Sequence, residues 1–292
     1  MNKSIKDSLN GLAKMVSSFL GNFGKTIASI LRILVLSSCR TAFHSRQYKE
    51  LKQTRDCCVL GNGPSLNVDF DSGRVRTEGV DLFCVNMFCS SSLFWELKPR
   101  FYYLIDGGFF APVDDRQRKQ IEELQSVFSE VDWDMYLVIS SSTISGSVLL
   151  ENLNNSHIHV ICMNSTNVDG FRSFRHWVYR HRLGMPRCQT VVNFAICAAI
   201  NFGYTNVYLY GADHTWTRDL FVDDNNTVCY GDRHVYNSSL TVIRKKENFA
   251  ELLDEFSLMF KSHYLLEDYS KVKGTKIWNC GSDTFLDAYE RL

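Results

Sequence analysis

Three features are missing from this sequence, and each absence removes a class of function. There is no excess of charge of either sign: 32 Lys and Arg stand against 32 Asp and Glu in 292 residues. A chain without a net field of its own is not drawn to a polyanion, so no nucleic-acid partner is expected. The ten cysteines contain no Cys-x-x-Cys pair, which removes the zinc-ribbon and redox-motif readings. Cys57, Cys58, Cys84, Cys162 and Cys197 lie inside apolar runs, where a free thiol acts as a small hydrophobe, and a reducing cytosol is the expected compartment. Unbroken apolar runs are short as well. In the first 45 residues the longest is Ile33 to Leu36, far from the roughly 20 residues of a bilayer span. No small-residue cleavage site marks a secretory signal.

Residues 1–45 differ from the rest. Lys3, Lys6, Lys14, Lys25, Arg32 and Arg40 face a single acid, Asp7, and apolar residues from Ile5 and Leu9 to Leu34 recur in steps of three and four. That spacing predicts a basic amphipathic helix. Its expected place is the surface of an anionic membrane, making the protein peripheral at the cytoplasmic face, or else a partner or the protein's own core. Residues 46–55 are polar and read as a connector to a domain over 56–292.

That domain has the apolar content of a packed core, since 45% of the chain is hydrophobic and 22% charged. Short apolar runs at Cys57–Leu60, Asp81–Asn86, Phe101–Asp106, Met135–Ser140, His157–Met163, Asn206–Tyr210 and Lys276–Asn279 read as strands. Helical spacing over Arg116–Phe128, Thr190–Phe202 and Asn248–Tyr264 places helices between them. The alternation predicts a doubly wound, mainly parallel α/β sheet. In such sheets ligands sit beyond the carboxyl ends of the strands, and those ends carry Asn62, Asn86, Asp106 and Asp213. The segment 278–288 reads as a strand, a turn and a short helix capped by Ser282 or Asp283.

The stretch CVLGNGPSL holds the strongest local signal. Gly61 and Gly63 flank Asn62, Pro64 removes an amide, and Ser65 is placed to cap the next segment of chain. Such a loop can cradle a phosphate. No Gly-Lys-Ser/Thr comes after it, and the third glycine of the dinucleotide fingerprint is missing, so a tight strand–turn explains the loop equally well. Asp223-Asp224, beside two asparagines, reads as a turn rather than a metal pair. The stretch Phe171–Arg187 carries five arginines among aromatics; it fits either a grip on a phosphate-rich acceptor or a surface helix with cation–π contacts.

Taken in order, CVLGNGPSL, FCVNMF, FYYLID and an Ala-rich segment leading to GYTNVYLYGAD resemble the bacterial glycosyltransferase family 42 sialyltransferases. They are also similar to the wider group described as 6-hydroxymethylpterin diphosphokinase MptE-like. The resemblance spans roughly residues 56–240. It implies a Rossmann-like, GT-A-related fold, a nucleotide-sugar donor (a CMP-sugar favoured) and a surface-polysaccharide or lipid-linked glycan acceptor. It implies donor contacts at Asn62, Asn86, Thr190 and Gly211, within a set that includes Gly61, Gly63, Pro64, Ser65, Asp106 and Asp213. The base is then His234, with Tyr236 and Arg233 on the leaving phosphate. His214 is a second candidate base, standing where the family has an aromatic. Asp106 stands where the sialyltransferases have Asn. The family 42 enzymes use no metal, whereas a diphosphokinase moving pyrophosphate from ATP needs Mg²⁺, so metal use stays open. A membrane-recruited, non-catalytic scaffold and a homo-oligomer also stay open.

Overall fold

A computed structural model describes residues 3–144 and 146–292, with side chains from residue 10 onward except at 237 and 238. Ile5 and Leu9 of the helical periodicity lie outside the described side chains. In chain order the elements are α1 (Lys3–Leu36), α2 (Cys39–His44), β1 (Asp56–Leu60), α3 (Ser65–Asp71), β2 (Val80–Val85), α4 (Leu93–Leu97), β3 (Phe101–Leu104), α5 (Asp115–Ser129), β4 (Met135–Ser140), α6 (Val148–Glu151) and β5 (Ile158–Met163). After these come α7 (Arg172–Arg180), α8 (Val191–Phe202), β6 (Asn206–Tyr210), β7 (Leu220–Val222), β8 (Val228–His234), β9 (Asn237–Arg244), α9 (Phe249–Lys273), β10 (Lys276–Asn279) and β11 (Glu290–Arg291).

Eight strands form one sheet in the order β11-β10-β6-β1-β2-β3-β4-β5, and every pair in it is parallel. The fold is a doubly wound, Rossmann-like α/β sheet. Both faces of its central strands are covered, as parallel sheets require. Cys57 and Val59 point into a core shared with α8 and α9. Cys58 and Leu60 point into the opposite core, with α3 and α5. The chain adds strands outward from β1 to β5, then returns across the sheet and places β6 on the other flank of β1. The crevice between β1 and β6 is thus the topological switch point, where the connections leave in opposite directions and open a space for a ligand.

The return runs through α8, whose twelve residues are all buried. A capping box starts it: Thr190 Oγ1 accepts from the Asn193 N–H, and the Asn193 side chain accepts from the Thr190 N–H. Gly203, with φ 79°, ends it in the left-handed cap that glycine favours.

Three features differ from the sequence reading. The segment GDRHVYN that carries His234 has the composition of a polar loop, yet it joins two strands of a second, antiparallel sheet β7-β8-β9. Its β8, VCYGDRH, breaks apolar alternation with Gly231 and three charged or titratable groups, so no strand signal survives. Residues 282–288 contain no helix. The connector is not loose: Ser45–Leu51 forms a 3₁₀ helix, and the Tyr48 hydroxyl accepts from the Cys162 N–H at 3.2 Å. The long helix reading does hold for α1, although by length and mean hydropathy (1.4 over an 18-residue window within Asn10–Leu36) it is also apolar enough to cross a membrane. Its short unbroken run does not suggest this, because Lys14, Lys25 and Arg32 dilute rather than abolish the apolar character.

Candidate active site

The loops after β1 and β6 cross at the switch point, and their glycines exist for each other. A Cβ on Gly61 would stand 2.3 Å from the Gly211 carbonyl oxygen. Gly211 has φ 62°, and a Cβ there would stand 2.7 Å from the Gly61 oxygen. The Gly61 N–H donates to Tyr210 O and the Gly63 N–H to Gly211 O, each at 2.8 Å. These amides are therefore engaged by protein, which favours the tight strand–turn over the phosphate cradle for Gly61 and Gly63.

Asp213 and Ser65 are engaged with each other. Both Asp213 oxygens face the start of α3: Oδ2 accepts from the Ser65 N–H at 3.0 Å and Oδ1 from the Ser65 hydroxyl at 2.5 Å. Asp213 is 4% exposed. Burial pushes its pKa up to about 6, against the opposing hydrogen bonds from Ser65. The carboxylate caps α3 across 148 residues of sequence rather than presenting itself to a ligand, and Ser65 is the capped residue rather than the cap. Gly63 makes room for it, since a Cβ there would lie 2.3 Å from Asp213 Cγ.

Beyond these loops opens a cleft of about 650 Å³. Asn62, Gly63, Pro64, Asn86, Asp106, Thr190, Gly211, Asp213, His214, His234 and Tyr236 all line it. Gly61 and Ser65 lie behind that wall. Two amides give the cleft its polarity. Asn62 donates from Nδ2 to Val85 O at 3.1 Å, which leaves its Oδ1 buried without a partner. Asn86 ends β2 with φ 47°, a conformation Asn tolerates. Tyr102 donates its hydroxyl to the Asn86 carbonyl and pins that turn. The Asn86 Oδ1 is likewise buried and unpartnered. Buried polar atoms are normally paired, so two orphaned acceptors in one cleft call for donors from a ligand: hydroxyl or amino groups.

Two other predicted residues are held by local structure. Asp106 Oδ1 accepts from the Gly108 N–H at 2.9 Å. The Thr190 hydroxyl belongs to the α8 cap, so the start of α8, with its positive dipole end, borders the cleft through Gln189 to Val192.

The antiparallel sheet forms the facing wall. His234 ends β8, and its Nε2 lies 3.1 Å from Asp232 Oδ2. The other oxygen of Asp232 accepts from Trp216 Nε1 at 3.1 Å. The carboxylate stands beside the imidazole without a hydrogen bond to it, and Nδ1 has no partner among the described residues. Tyr236 stacks on His234, with centroids 4.9 Å apart and planes at 18°. Burial raises the Tyr236 phenol, so it stays protonated and can donate at neutral pH. His214 has a different character. It is 6% exposed, and its Nε2 lies 3.0 Å from His263 Nε2. His263 Nδ1 in turn meets the Tyr289 hydroxyl at 2.9 Å. Burial pushes the His214 pKa down to about 3. The ring is a neutral packing element, stacked on Trp216 at 5.0 Å, and is poorly suited to hold a proton during turnover.

Asp232 and Trp216 are not visible as site residues in the sequence. Asp232 stands two residues from His234, the spacing that shares a strand face, but the strand itself carries no recognisable pattern. Arg116, at the start of α5, is a third addition: it lines the cleft and has no ion partner among the described residues. Arg233 also lines the cleft but pairs with Asp219 at 2.9 Å.

Four of the five arginines of 171–187 serve the protein itself. Arg172 bridges Asp268, Arg175 donates to Gly170 O, Arg182 to Asn201 O and Arg187 to Gln189. A grip on an acceptor through this stretch is not favoured. Asp223 forms a turn, its Oδ1 accepting from the N–H groups of Asn225 and Thr227. Among the described residues no group of three or more His, Cys, Asp or Glu side chains is arranged to hold a metal.

No family model and no curated protein matches the sequence. Among solved structures the chain is similar to the MAf glycosyltransferase from Magnetospirillum magneticum AMB-1, with a TM-score of 0.50 and 13% identity. The match covers 87% of this chain and 38% of that one, so this chain spans well under half the length of its structural neighbour. The likeness is one of fold.

Proposed function

We propose that the protein is a glycosyltransferase that moves a sugar from a nucleotide donor to a glycan hydroxyl. One observation carries the reading: a histidine beside an aspartate, stacked on Tyr236, faces, across a single cleft, the switch-point crevice of a Rossmann-like sheet. The orphaned Asn62 and Asn86 oxygens suit the hydroxyl and amino donors of a nucleoside. Arg116, the Tyr236 hydroxyl and the start of α8 suit its phosphates.

In the proposed reaction His234 Nδ1 takes the proton of the acceptor hydroxyl as that oxygen bonds to the anomeric carbon. The anomeric carbon–phosphate oxygen bond breaks, and its electron pair leaves with the nucleotide phosphate. Tyr236 and Arg116 stabilise that developing charge. Asp232 balances the imidazolium that forms. A sialic-acid-like sugar and a cytidine base rest on the sequence resemblance alone, and the acceptor is proposed to be a surface polysaccharide or a lipid-linked glycan. Calorimetric titration of the purified chain with CMP, UDP and GDP tests the binding half. Binding of one of them that weakens in Asn62→Ala supports the reading. No binding of any nucleotide or nucleotide sugar sinks it.

A further inference from the structure

Helix α1 is attached to the domain by the wrong side for a helix that hides its apolar face. Its polar and small residues make most of the contacts, beside Phe19 on Phe171 at 5.3 Å and Ile33 against the core. Ser29 Oγ donates to Asp169 O and accepts from the Asp169 N–H, both at 2.9 Å. Thr26 Oγ1 accepts from the Phe171 N–H at 3.1 Å. Ser37 Oγ donates to Leu183 O at 2.6 Å, and Lys25 pairs with Asp169 at 3.0 Å. Gly170, with φ 116°, allows the close approach, because a Cβ there would stand 2.1 Å from Thr26 Oγ1. This leaves Leu12, Val16, Phe23, Ile27, Ile30 and Leu34 turned away from the body, between 42% and 75% exposed. Their spacing of three, four and seven puts them on one stripe.

Charge selects what covers that stripe. Residues 8–49 contain Lys14, Lys25, Arg32, Arg40, Arg46 and Lys49 and no acidic residue. A second copy packed on the stripe would bring like charges together, whereas an anionic lipid surface complements them. Crossing the bilayer does not fit the attachment. The part from Thr26 to Ser37 is hydrogen-bonded to the domain. The part without a hydrogen bond to the domain, Asn10 to Gly24, is about 22 Å long, short of a hydrocarbon core of roughly 30 Å, and its Phe19 packs on Phe171.

We infer that α1 is an in-plane anchor that seats the protein on an anionic bilayer, apolar stripe down. The attachment has a direction. Residues 164–171 come directly after the carboxyl end of β5, and all strands of the sheet are parallel, so α1 is held at the sheet edge that bears the cleft. Asn167 Oδ1 accepts from the N–H of Cys188, a residue of the cleft wall, at 3.0 Å. If the cleft is that of a transferase, as proposed above, its acceptor is borne on a lipid.

Co-sedimentation of the full chain with phosphatidylcholine vesicles, with and without phosphatidylglycerol, tests this. The expected result is at least about tenfold tighter association with the anionic vesicles, weakening as salt is added. The variant Phe23→Glu/Ile27→Glu/Leu34→Glu should lose it by about a hundredfold or more. Those side chains are exposed, so its melting temperature should match the wild type. Equal association of variant and wild type, or none by either, overturns the anchor. So does a dimer in sedimentation equilibrium that the same substitutions dissolve while vesicles take up neither protein. Vesicle uptake without nucleotide binding keeps the anchor and removes the transferase; nucleotide binding without uptake does the reverse.

Discussion

The parallel sheet and the antiparallel sheet meet at one cleft and contribute unlike things. The parallel sheet offers buried, geometrically fixed groups with unpartnered oxygens: Asn62, on a loop locked by the Gly61–Gly211 crossing, and Asn86, on a turn pinned by Tyr102. Among its titratable residues at the cleft, Asp213 is committed to capping α3. The antiparallel sheet offers the half-exposed, titratable pair His234 and Asp232, in a strand with a register shift between those two residues. Irregularities of this kind re-aim side chains. A deeply packed scaffold suits recognition, because its groups cannot relax away from a ligand. A chemical base needs an accessible ring with a free nitrogen, and that is found on the smaller sheet. His214 makes the contrast sharper: placed on the parallel sheet's side and buried, it loses the capacity to hold a proton.

The largest expected effect breaks the antiparallel half alone. His234→Ala should lower turnover by about a hundredfold to ten-thousandfold, with little change in thermal stability or in nucleotide affinity. Asp232→Asn should lower kcat by a smaller factor and leave KM for the donor nearly unchanged. Steady-state kinetics check both, and an unchanged rate in His234→Ala would move the chemistry elsewhere.

Next comes the locked crossing. Gly61→Ala drives a methyl into the Gly211 backbone and should destabilise the fold by about 3 kcal/mol or more, measured by urea unfolding. A loss near zero would mean the two loops are free to part.

Asp213 gives a pH signature. Its folded pKa, about 6, lies above the roughly 3.9 of an unfolded chain. Its protonated form is therefore favoured by folding. That stability is fully present below about pH 4 and is lost as pH rises to about 6, for a change on the order of 3 kcal/mol. Asp213→Asn should flatten this slope; a wild-type curve already flat across the window contradicts the assignment.

The smallest effect sharpens the recognition half. Asn62→Ala should weaken nucleotide binding by about tenfold, or 1.4 kcal/mol, while kcat at saturating donor holds.

The two sheets are also unequally legible in the sequence. Strands buried on both faces read as apolar runs, so Met135–Ser140, Asn206–Tyr210 and Lys276–Asn279 emerge with the bounds that the structure shows. The polar residues that follow β1, β2, β3 and β6 (Asn62, Asn86, Asp106 and Asp213) line the cleft. What stays hidden depends on contacts between distant parts of the chain. The Asp213–Ser65 cap and the Gly61–Gly211 crossing look, in one dimension, like ligand-binding signatures. In three dimensions they are packing. The β7-β8-β9 sheet buries one face only and interrupts its pattern at Gly231, so the sequence does not pair Asp232 with His234, although His234 itself stands out by its chemistry.

The most direct test of the account is nucleotide release. The purified chain is incubated with CMP-, UDP- and GDP-sugars and with ATP, with and without Mg²⁺, alongside His234→Ala, and the product nucleotide is identified by chromatography. The account predicts CMP, UDP or GDP released by the wild type and at least about a hundredfold more slowly by the variant. Release at the same rate by both, or AMP formed from ATP only when a pterin is supplied, would contradict it.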